Sequence, residues 1–392
     1  MQYDIIIIGA GPAGLSFARA MAGSGLSIAI VEKNPIKSLA EPAYDGREIA
    51  LTHLSHKILN DLGIWQHIPE NRHFKIRDAK VINGNSPYSL DFDHRESGRE
   101  NLGFMVSNSA IRKAVFDALD GFDNITILDG TTVQNIGTND TQGWVELANG
   151  ETLNASLIVA ADSRFSGARR MMGIPASMLD FGRTCIVCTM STQENHEQTA
   201  VEYFHLDRTL AILPLGPNQV SVVVTLKSDD FDALLSMPKM EFANDIAART
   251  DGQFGQMQLS SERFTYPLVA TFAKTFCKNR FALVGDAAVG MHPVTAHGFN
   301  LGLQGGNVLA TEILKSMSIG QDIANYSALQ NYDRAHRRAS APIYHGTNAL
   351  VQLYTNTSPP ARIARSALLH LGNFFTPARG LIMDRLTELK RL

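Results

Sequence analysis

The sequence of 392 residues has little of several features that would place a protein in a specialised class. Three cysteines are too few for a disulfide framework, and no apolar run approaches the roughly 18 residues that span a membrane. A formal net charge of −3 disfavours nucleic acid as a partner. The apolar N-terminal run lacks the basic residues that open a secretory signal. We therefore expect a cytoplasmic globular protein, long enough for two interlocked domains.

Two of the cysteines, Cys185 and Cys188, have the C-x-x-C spacing of redox and zinc sites. They lie in the stretch TCIVCTM, whose composition favours a strand, and residues three apart in a strand point to opposite faces. A free cysteine is most often a small core residue. We therefore predict two buried cysteines here and no metal site.

The N-terminal segment combines a strand pattern with a glycine motif. The β-branched run Ile5–Ile8 is too short for a buried helix and is typical of a strand covered on both faces. It is followed by glycines spaced as G-x-G-x-x-G, namely Gly9, Gly11 and Gly14. A second apolar run, Ile28–Val31, ends at Glu32, whose carboxylate can accept hydrogen bonds from a ribose. This order predicts a dinucleotide-binding unit with the phosphates at a helix N-terminus, and it leaves NAD and FAD open.

Later segments supply polar residues at the edge where such sheets hold ligands. Arg47 opens a helix-patterned segment, and three apolar runs lead into Asn108, Asp162 and the pair Gly285-Asp286. A carboxylate at the end of a buried strand is costly unless it accepts hydrogen bonds. Two such acids far apart in the chain, Glu32 and Asp286, suggest a ligand with a hydroxylated chain. Because FAD carries a ribitol that NAD lacks, we favour FAD.

The hydrophobic patterns predict an α/β (α+β) architecture. Buried strands alternate with helices over much of the chain, whereas 179–267 has longer alternating strands and 72–98 has short ones. We predict a Rossmann-like FAD/NAD(P)-binding fold with an inserted β-sheet substrate domain. The predicted parts are FAD-binding residues 1–71, 99–178 and 268–335, substrate-domain residues 72–98 and 179–267, and a helical C-terminal segment, 336–392.

Several motifs taken together resemble those of the group A flavoprotein aromatic hydroxylases. They are GAGPAG at 9–14, Arg47 with its helix, AADSRFSGAR at 160–169 and VGDAAVGMHPVTAHGFNLGLQ at 284–304. Within that family the sequence is most similar to the ubiquinone-biosynthesis hydroxylases, and its opening resembles the branch that acts on 5-demethoxyubiquinol. The resemblance covers the whole chain and implies the aromatic-hydroxylase type of FAD-binding fold.

The resemblance implies contacts with each part of FAD. The ribose would lie by Glu32 and Lys33, the flavin side by Arg47 and Asn108, and the ribitol by Gly285 and Asp286. The pyrophosphate would lie against Gly9, Gly11, Pro12, Ala13 and Gly14. The isoalloxazine ring would lie along Pro293, Gly298, Phe299 and Asn300.

Two positions depart from the family pattern. The second motif, which links FAD to the reducing nicotinamide, is usually Asp-Gly and here is Asp162-Ser163. The glutamine that commonly precedes the last glycine is His297. With no second G-x-G-x-x-G in the chain, NAD(P)H is expected to dock transiently as the electron donor.

The family mechanism assigns most of the chemistry to the cofactor. NAD(P)H reduces FAD, reduced flavin captures O2 as a hydroperoxide, and one oxygen atom passes to an electron-rich ring carbon, while the protein positions the ring and excludes water. Three histidines are candidates to tune the phenol or the peroxide, because imidazole titrates near neutral pH: His205, His292 and His297. Each is equally interpretable as a hydrogen-bonded structural histidine.

The C-terminal sequence from 334 onward carries nine Lys and Arg against two acids. Its basic residues alternate with apolar ones: Arg362, Arg365, Arg379, Arg385, Lys390 and Arg391 among Leu368, Leu369, Phe374, Phe375, Leu381 and Ile382. This surface could contact the inner membrane or a ubiquinone-biosynthesis complex, where a lipophilic precursor would be met. It could equally pack on the FAD domain with its charges in water.

The leading hypothesis is therefore FAD-dependent hydroxylation of a polyprenylated phenol or quinol in ubiquinone biosynthesis, at the 5-demethoxyubiquinol stage. Hydroxylation of a soluble aromatic acid is the main alternative, and it predicts a cation in the inserted sheet, for which Arg183 and Arg208 are candidates. A flavin-dependent isoprenoid reductase, which needs no oxygen, and a non-catalytic member of a biosynthetic complex are two further alternatives.

Overall fold

The computed structural model describes residues 1–84, 89–205 and 207–355. Its strands, numbered along the chain, are β1 Gln2–Ile8, β2 Ile28–Val31, β3 Glu48–Leu51, β4 His73–Ile76, β5 Asp78–Asn83, β6 Ser89–Phe92, β7 Gly103–Ser107, β8 Ile125–Leu128, β9 Val133–Thr138, β10 Gly143–Leu147, β11 Thr152–Ala160, β12 Ala176–Thr192, β13 Thr199–Phe204, β14 Arg208–Pro214, β15 Gln219–Lys227, β16 Met257–Leu259, β17 Phe264–Ala273, β18 Cys277–Lys278, β19 Phe281–Leu283 and β20 Val289–Gly290. Its α-helices are α1 Pro12–Met21, α2 Lys37–Ala40, α3 His53–Asp61, α4 Asn108–Asp117, α5 Gly167–Met171, α6 Phe231–Ser236, α7 Lys239–Arg249, α8 His297–Ser318 and α9 Tyr326–Thr355.

Strand β1 lies at the centre of the sheet that carries the glycine motif. It pairs in parallel with β11 on one side and β2 on the other, and β19 and β8 extend the parallel pairing outward. Antiparallel β10 and β9 continue from β11. Ile5, Ile6 and Ile7 have no exposed surface. The predicted buried strand and Rossmann-like sheet are therefore confirmed.

A second sheet of nine strands follows the order β20-β17-β12-β15-β14-β13-β5-β6, with β16 beside β12. Strand β5 joins it through parallel pairing with β13, so strands from 72–98 and 179–267 share one sheet. Helices α6 and α7 cover one face, where Leu234, Phe242 and Ile246 pack against Val201 and Tyr203. The other face is turned toward the nucleotide-binding part. Strand β4 instead pairs with β7 in a small third sheet.

Continuous elements connect the two parts of the molecule. Strand β12 begins at Ala176 and pairs with β17 along both strands, with a register shift between Asp180 and Thr184. Strand β17 crosses position 267 and helix α9 crosses position 335, where the sequence analysis had placed boundaries. The chain thus passes between the predicted parts within regular elements, and their relative placement is held by backbone hydrogen bonds.

The cysteines of β12 are free and buried. Cys185 packs with Leu268, whereas Cys188 packs in the cluster under α6 and α7, so they face opposite sides of the sheet as a period of two requires. Burial raises the pKa of Cys185 to about 11 and that of Cys188 to about 12, so both are neutral thiols near neutral pH. Both are therefore the core residues that the strand pattern predicts.

Helix α9 packs the last described residues onto the nucleotide-binding part. Arg337 donates to the carbonyl oxygens of Ala273 and Lys274 at 2.9 and 2.8 Å, and its guanidinium lies over Phe272 and Phe276. No helix within 1–84, 89–205 and 207–355 is long and apolar enough to cross a membrane. The basic residues predicted to face a membrane or a partner, from Arg362 onward, lie outside the described residues.

The first prediction concerns the contact between α1 and the strand before it. A Cβ atom on Gly14 would lie 2.1 Å from the carbonyl oxygen of Gly9, a backbone atom that cannot move aside alone. We expect Gly14→Ala to lower the free energy of unfolding by about 3 kcal/mol, measured by urea unfolding. The control is Gly23→Ala, whose added Cβ meets no atom within 4 Å. Equal unfolding midpoints for the two variants would contradict this packing.

Candidate functional site

A cavity of about 490 Å³ lies where the nucleotide-binding part meets the open face of the second sheet. The carboxyl ends of parallel β1, β11 and β19 meet at this edge, which is where open α/β sheets bind ligands. A larger cleft of about 680 Å³, bordered by residues such as Arg19 and Phe122, touches none of the motif residues. Twelve of the residues predicted from sequence border the cavity: Gly11, Pro12, Ala13, Arg47, Asn108, Asp162, Gly285, Asp286, His292, Pro293, Gly298 and Phe299.

The glycine motif presents the N-terminus of α1 to this cavity. Gly9 adopts a φ of +102°, which turns the chain sharply out of β1. Gly11 is the N-cap residue, no side chain caps the helix, and Pro12 occupies the first turn. No acidic side chain lies in that turn. The free N–H groups and the helix dipole therefore form an anion-binding end suited to a pyrophosphate.

Glu32, which follows β2, stabilises the glycine turn by hydrogen bonding. Its carboxylate accepts from the backbone N–H of Ala10 at 2.8 Å and from the side-chain amide of Asn34 at 2.7 Å. It is 7% exposed and does not border the cavity, nor does the exposed Lys33. The ribose contact implied for these two residues stays a prediction. Oε1 of Glu32 already accepts two hydrogen bonds from Asn34, whereas Oε2, which accepts one from Ala10, keeps a second lone pair for it.

Asp45, which the sequence analysis did not single out, organises the side of the cavity that carries Arg47. Its carboxylate accepts from Nε of Arg47 at 3.0 Å and from the amide of Asn108 at 2.8 Å. Tyr266 donates to the Asp45 carbonyl oxygen at 2.6 Å, and the Arg47 guanidinium lies 5.2 Å from the Tyr266 ring centroid. Burial alone would raise the pKa of Asp45, but the hydrogen bonds and positive charge of Arg47, together with the hydrogen bond from Asn108, outweigh it and lower that pKa. The ionised carboxylate therefore orients Arg47 and Asn108 together.

The sequence analysis also did not single out Arg164, which lies between the motif acids Asp162 and Asp286. Arg164 donates to the Asp286 carboxylate at 3.0 Å and to the Val269 carbonyl at 3.1 Å. Asp162 accepts one bond, from the N–H of Ala168 at 3.2 Å, and its buried Oδ1 has no partner among the described residues. Leaving a buried carboxylate oxygen unpaired is costly. Because Asp162 borders the cavity, that oxygen is suited to accept a hydrogen bond from a ligand.

The start of α8 supplies the remaining wall. His292 caps the turn that precedes the helix, accepting from the N–H of Val294 at 3.2 Å, and its buried Nε2 has no partner among the described residues. Burial lowers the pKa of His292 to about 4, with the positive charges of Arg183 and Arg164 adding to that effect. His292 is therefore neutral near neutral pH and borders the cavity as an uncharged ring.

Asn300 and His297 lie behind this wall. Asn300 is 1% exposed, donates to the carbonyl oxygens of Ala50 and Ala296 at 2.8 and 2.7 Å, and accepts from the N–H of Thr52 at 3.1 Å. It thereby holds the start of α8 to β3. His297 is a buried first residue of α8 and does not border the cavity. The structure therefore places Asn300 as a support of the wall and His297 as a buried residue outside the cavity lining.

His205 lies on the opposite face of the second sheet. Its ring is parallel to that of Tyr203 at 6.0 Å, on the face covered by α7, and it does not border the cavity. Arg208 lies on that side too, with Nη1 donating to Asp245 of α7 at 3.1 Å. Neither Arg208 nor Arg183 borders the cavity. His205 and Arg208 are thus not brought together with the motif residues, whereas Arg183 lies near enough to His292 for its charge to lower the pKa of that residue.

The residues of the cavity fit FAD. An uncapped helix N-terminus suits the pyrophosphate, an unpaired carboxylate oxygen on Asp162 suits a hydroxyl or amide donor, and Arg47 adds a cation to the cavity lining. Gly285 has a φ of +61° and packs against α8, where a Cβ on Gly302 would lie 3.1 Å from the Gly285 Cα. This close packing brings the Gly285-Asp286 turn to the same cavity as the glycine motif.

Comparisons with known proteins agree with this assignment. The FAD-binding domain family matches residues 2–344. Ubiquinone hydroxylase UbiM of Neisseria meningitidis is 45% identical over 99% of this chain and 85% of its own, and ubiquinone hydroxylase UbiL of Rhodospirillum rubrum is 32% identical over 99% and 88%. The crystal structure of p-nitrophenol 4-monooxygenase PnpA from Pseudomonas putida has the same fold, with a TM-score of 0.78, 17% identity and 98% of each chain covered.

The chain therefore belongs to the FAD-binding domain family, in the group that contains these ubiquinone hydroxylases. The predicted cofactor, FAD, and the resemblance to the aromatic hydroxylases are confirmed. The individual contacts between site residues and FAD remain predictions, which variants of the chain can test.

The second prediction concerns Asp45. Replacing it by alanine removes the acceptor that orients both Arg47 and Asn108. We expect Asp45→Ala to weaken FAD binding by about 10- to 100-fold, since hydrogen bonds to a charged group contribute about 1.5 to 3 kcal/mol. Titration of apoprotein with FAD, followed by flavin fluorescence, measures the change. Asp61→Ala removes an exposed acid paired with Lys57 and serves as the control. Unchanged FAD affinity for Asp45→Ala would exclude this network from the cofactor site.

Proposed function

We propose that the protein is an FAD-dependent monooxygenase that hydroxylates the ring of a polyprenylated phenol or quinol in ubiquinone biosynthesis. The observation that carries the proposal is one continuous cavity that borders both the FAD motifs and a sheet face, on which three apolar residues, Ala211, Leu213 and Val223, lie beside Glu202, Thr209 and Thr225. Alignment over 99% of the chain with two ubiquinone hydroxylases supports the substrate class. O2 is the co-substrate, because a monooxygenase takes one oxygen atom from it.

The residues of the chain would bind FAD, orient the substrate ring and keep water out of the cavity. FAD, when bound, supplies the redox chemistry and the activation of O2. The N-terminus of α1 would hold the pyrophosphate, and Arg47, Asn108 and Asp162 would fix the parts that follow it. On the sheet side, Ala211, Leu213 and Val223 border the cavity with apolar groups. Such a surface accommodates an uncharged ring and keeps water from the reacting atoms.

We further propose NAD(P)H as a transient donor and 5-demethoxyubiquinol as the ring that is hydroxylated. The donor proposal is supported by Asp162, the position that matches the family's second motif, and by the single glycine motif of the chain, whereas Ser163 departs from that second motif. The substrate proposal is supported by the likeness to UbiM and UbiL. A cytoplasmic location with peripheral contact to the inner membrane or to a biosynthetic complex would suit a lipophilic substrate, and the basic residues beyond 355 are the part proposed to make it.

The soluble aromatic acid is disfavoured by the charges around the cavity. Of the arginines that border it, Arg47 is paired with Asp45 and Arg164 with Asp286. The two arginines expected to bind a carboxylate, Arg183 and Arg208, do not border it. Glu48 and Glu202 border it instead, and neither offers a cation to a carboxylated ring.

The third prediction tests the function in cells. The gene is expressed in bacterial strains that each lack one ubiquinone hydroxylase, and quinone intermediates are identified by mass spectrometry. We expect ubiquinone to be restored in the strain blocked at the demethoxy stage, because this chain would add the missing hydroxyl group. A variant impaired in FAD binding, Asp45→Ala, serves as the matched control. Persistence of every intermediate despite folded, yellow protein would contradict the proposed function.

A further inference from the structure

One ionisable side chain interrupts an otherwise apolar row on the cavity face of the second sheet. The register pairs Val81 of β5 with Glu202 of β13, Glu202 with Ala211 of β14, and Ala211 with Val223 of β15. Paired residues of neighbouring strands point to the same face. Glu202, Ala211 and Val223 all border the cavity. The carboxyl group therefore stands alone in a row of apolar side chains.

The surroundings of Glu202 offer it little stabilisation. Burial raises the pKa of Glu202 to about 8, and Thr209, one row away on the same face, opposes this rise only in part. Glu202 is half-buried, and no cation pairs with it among the described residues. A carboxylate shielded from water without a cation destabilises a fold, and valine or leucine would suit this row equally well. Stability thus gives no reason for an acid at this position. An acid that is costly to the fold and faces a ligand cavity is a candidate functional group.

We propose that Glu202 binds the hydroxyl group of the substrate ring and accepts its proton as the ring is hydroxylated. The ring O–H bond breaks, its electron pair stays on the ring oxygen and enriches the ring carbons, and the proton forms an O–H bond on the Glu202 carboxylate. This inference rests on the proposed function and names the residue that activates its substrate. Ala211 and Val223 would flank the ring, and Thr209 would hold the carboxyl group in place.

The charged and titratable groups that border the cavity are Arg47, Glu48, Asp162, Arg164, Glu202, Asp286 and His292. Burial raises the pKa of Glu48 to about 7, and His292 titrates at about 4. A carboxyl group with a pKa near 8 is a stronger base than an ordinary one and is ionised above that pH. Hydroxylation should therefore increase with pH up to about 8 and then level off.

The fourth prediction is tested on holoenzyme in single turnover, so that the electron donor does not matter. The flavin is photoreduced without oxygen and then mixed with O2 and 2-prenylphenol, a short-chain probe. The rate at which hydroxylated product forms is measured between about pH 6 and about pH 10. We expect Glu202→Gln to form product about 100-fold more slowly at pH 8, and its rate should no longer rise with pH up to about that value. Glu202→Asp should keep this rise at a lower rate. Glu194→Gln, an exposed acid of the same domain, should match wild type.

The methyl ether of the probe provides a second control, because it has no ring proton to give. Wild type and Glu202→Gln should handle the ether at equal rates. A Glu202→Gln variant with full flavin content, a wild-type rate and an unchanged pH profile would overturn the role of Glu202 alone. Absence of product from yellow wild-type protein would overturn the proposed function and this inference together.

Discussion

The close approach of helix α1 to the end of β1 is the constraint on which the rest of the site depends. Gly14 lies so near the carbonyl oxygen of Gly9 that no side chain fits between them. This contact aims the uncapped N-terminus of α1 at the edge where β11 and β19 also end. Glu32 fixes the turn from the other side through the N–H of Ala10. The phosphate-binding end is thus shaped by contacts within the protein itself, and such preorganisation lowers the entropic cost of binding.

A second set of charges fixes the opposite walls across long sequence separations. Asp45 and Asn108 are 63 residues apart, and Arg164 and Asp286 are 122 apart. In each pair a carboxylate holds a donor that borders the cavity. Strands β12 and β17 then carry the chain into the second sheet, whose open face completes the cavity. In the proposed function, one sheet therefore supplies the cofactor edge and the other supplies the surface for the ring.

The sequence predicted the parts of this arrangement that have a local cause. The run Ile5–Ile8 and the glycine spacing were enough for the buried strand and the turn, and the polar residues after Val106-Ser107 and Val284 were expected at the ligand edge. The ion pairs were not predictable, because nothing local indicates that Arg164 meets Asp286. Asp45 did leave a local signal, since an acid two residues before Arg47 and next to Gly46 favours a turn that joins them.

His205 and Glu202 show the limit of what a strand pattern predicts. The alternation in AVEYFHL indicates that Glu202 and Tyr203 point to opposite faces, and it does not indicate which face meets the cofactor. The answer depends on α6 and α7, which follow later in the chain and cover the Tyr203 face. Histidine was favoured for its titration near neutral pH, but burial moves the pKa of Glu202 into that range instead.

The central claim is that FAD and the aromatic ring share the cavity between the two sheets, and that the ring receives one oxygen atom from O2 there. Single turnover of reduced holoenzyme with isotopically labelled dioxygen and 2-prenylphenol tests it most directly. The account predicts one labelled oxygen atom in the ring of the product, detected by mass spectrometry. Unlabelled product, or a substrate recovered unchanged by enzyme that retains FAD and reoxidises it, would contradict the account.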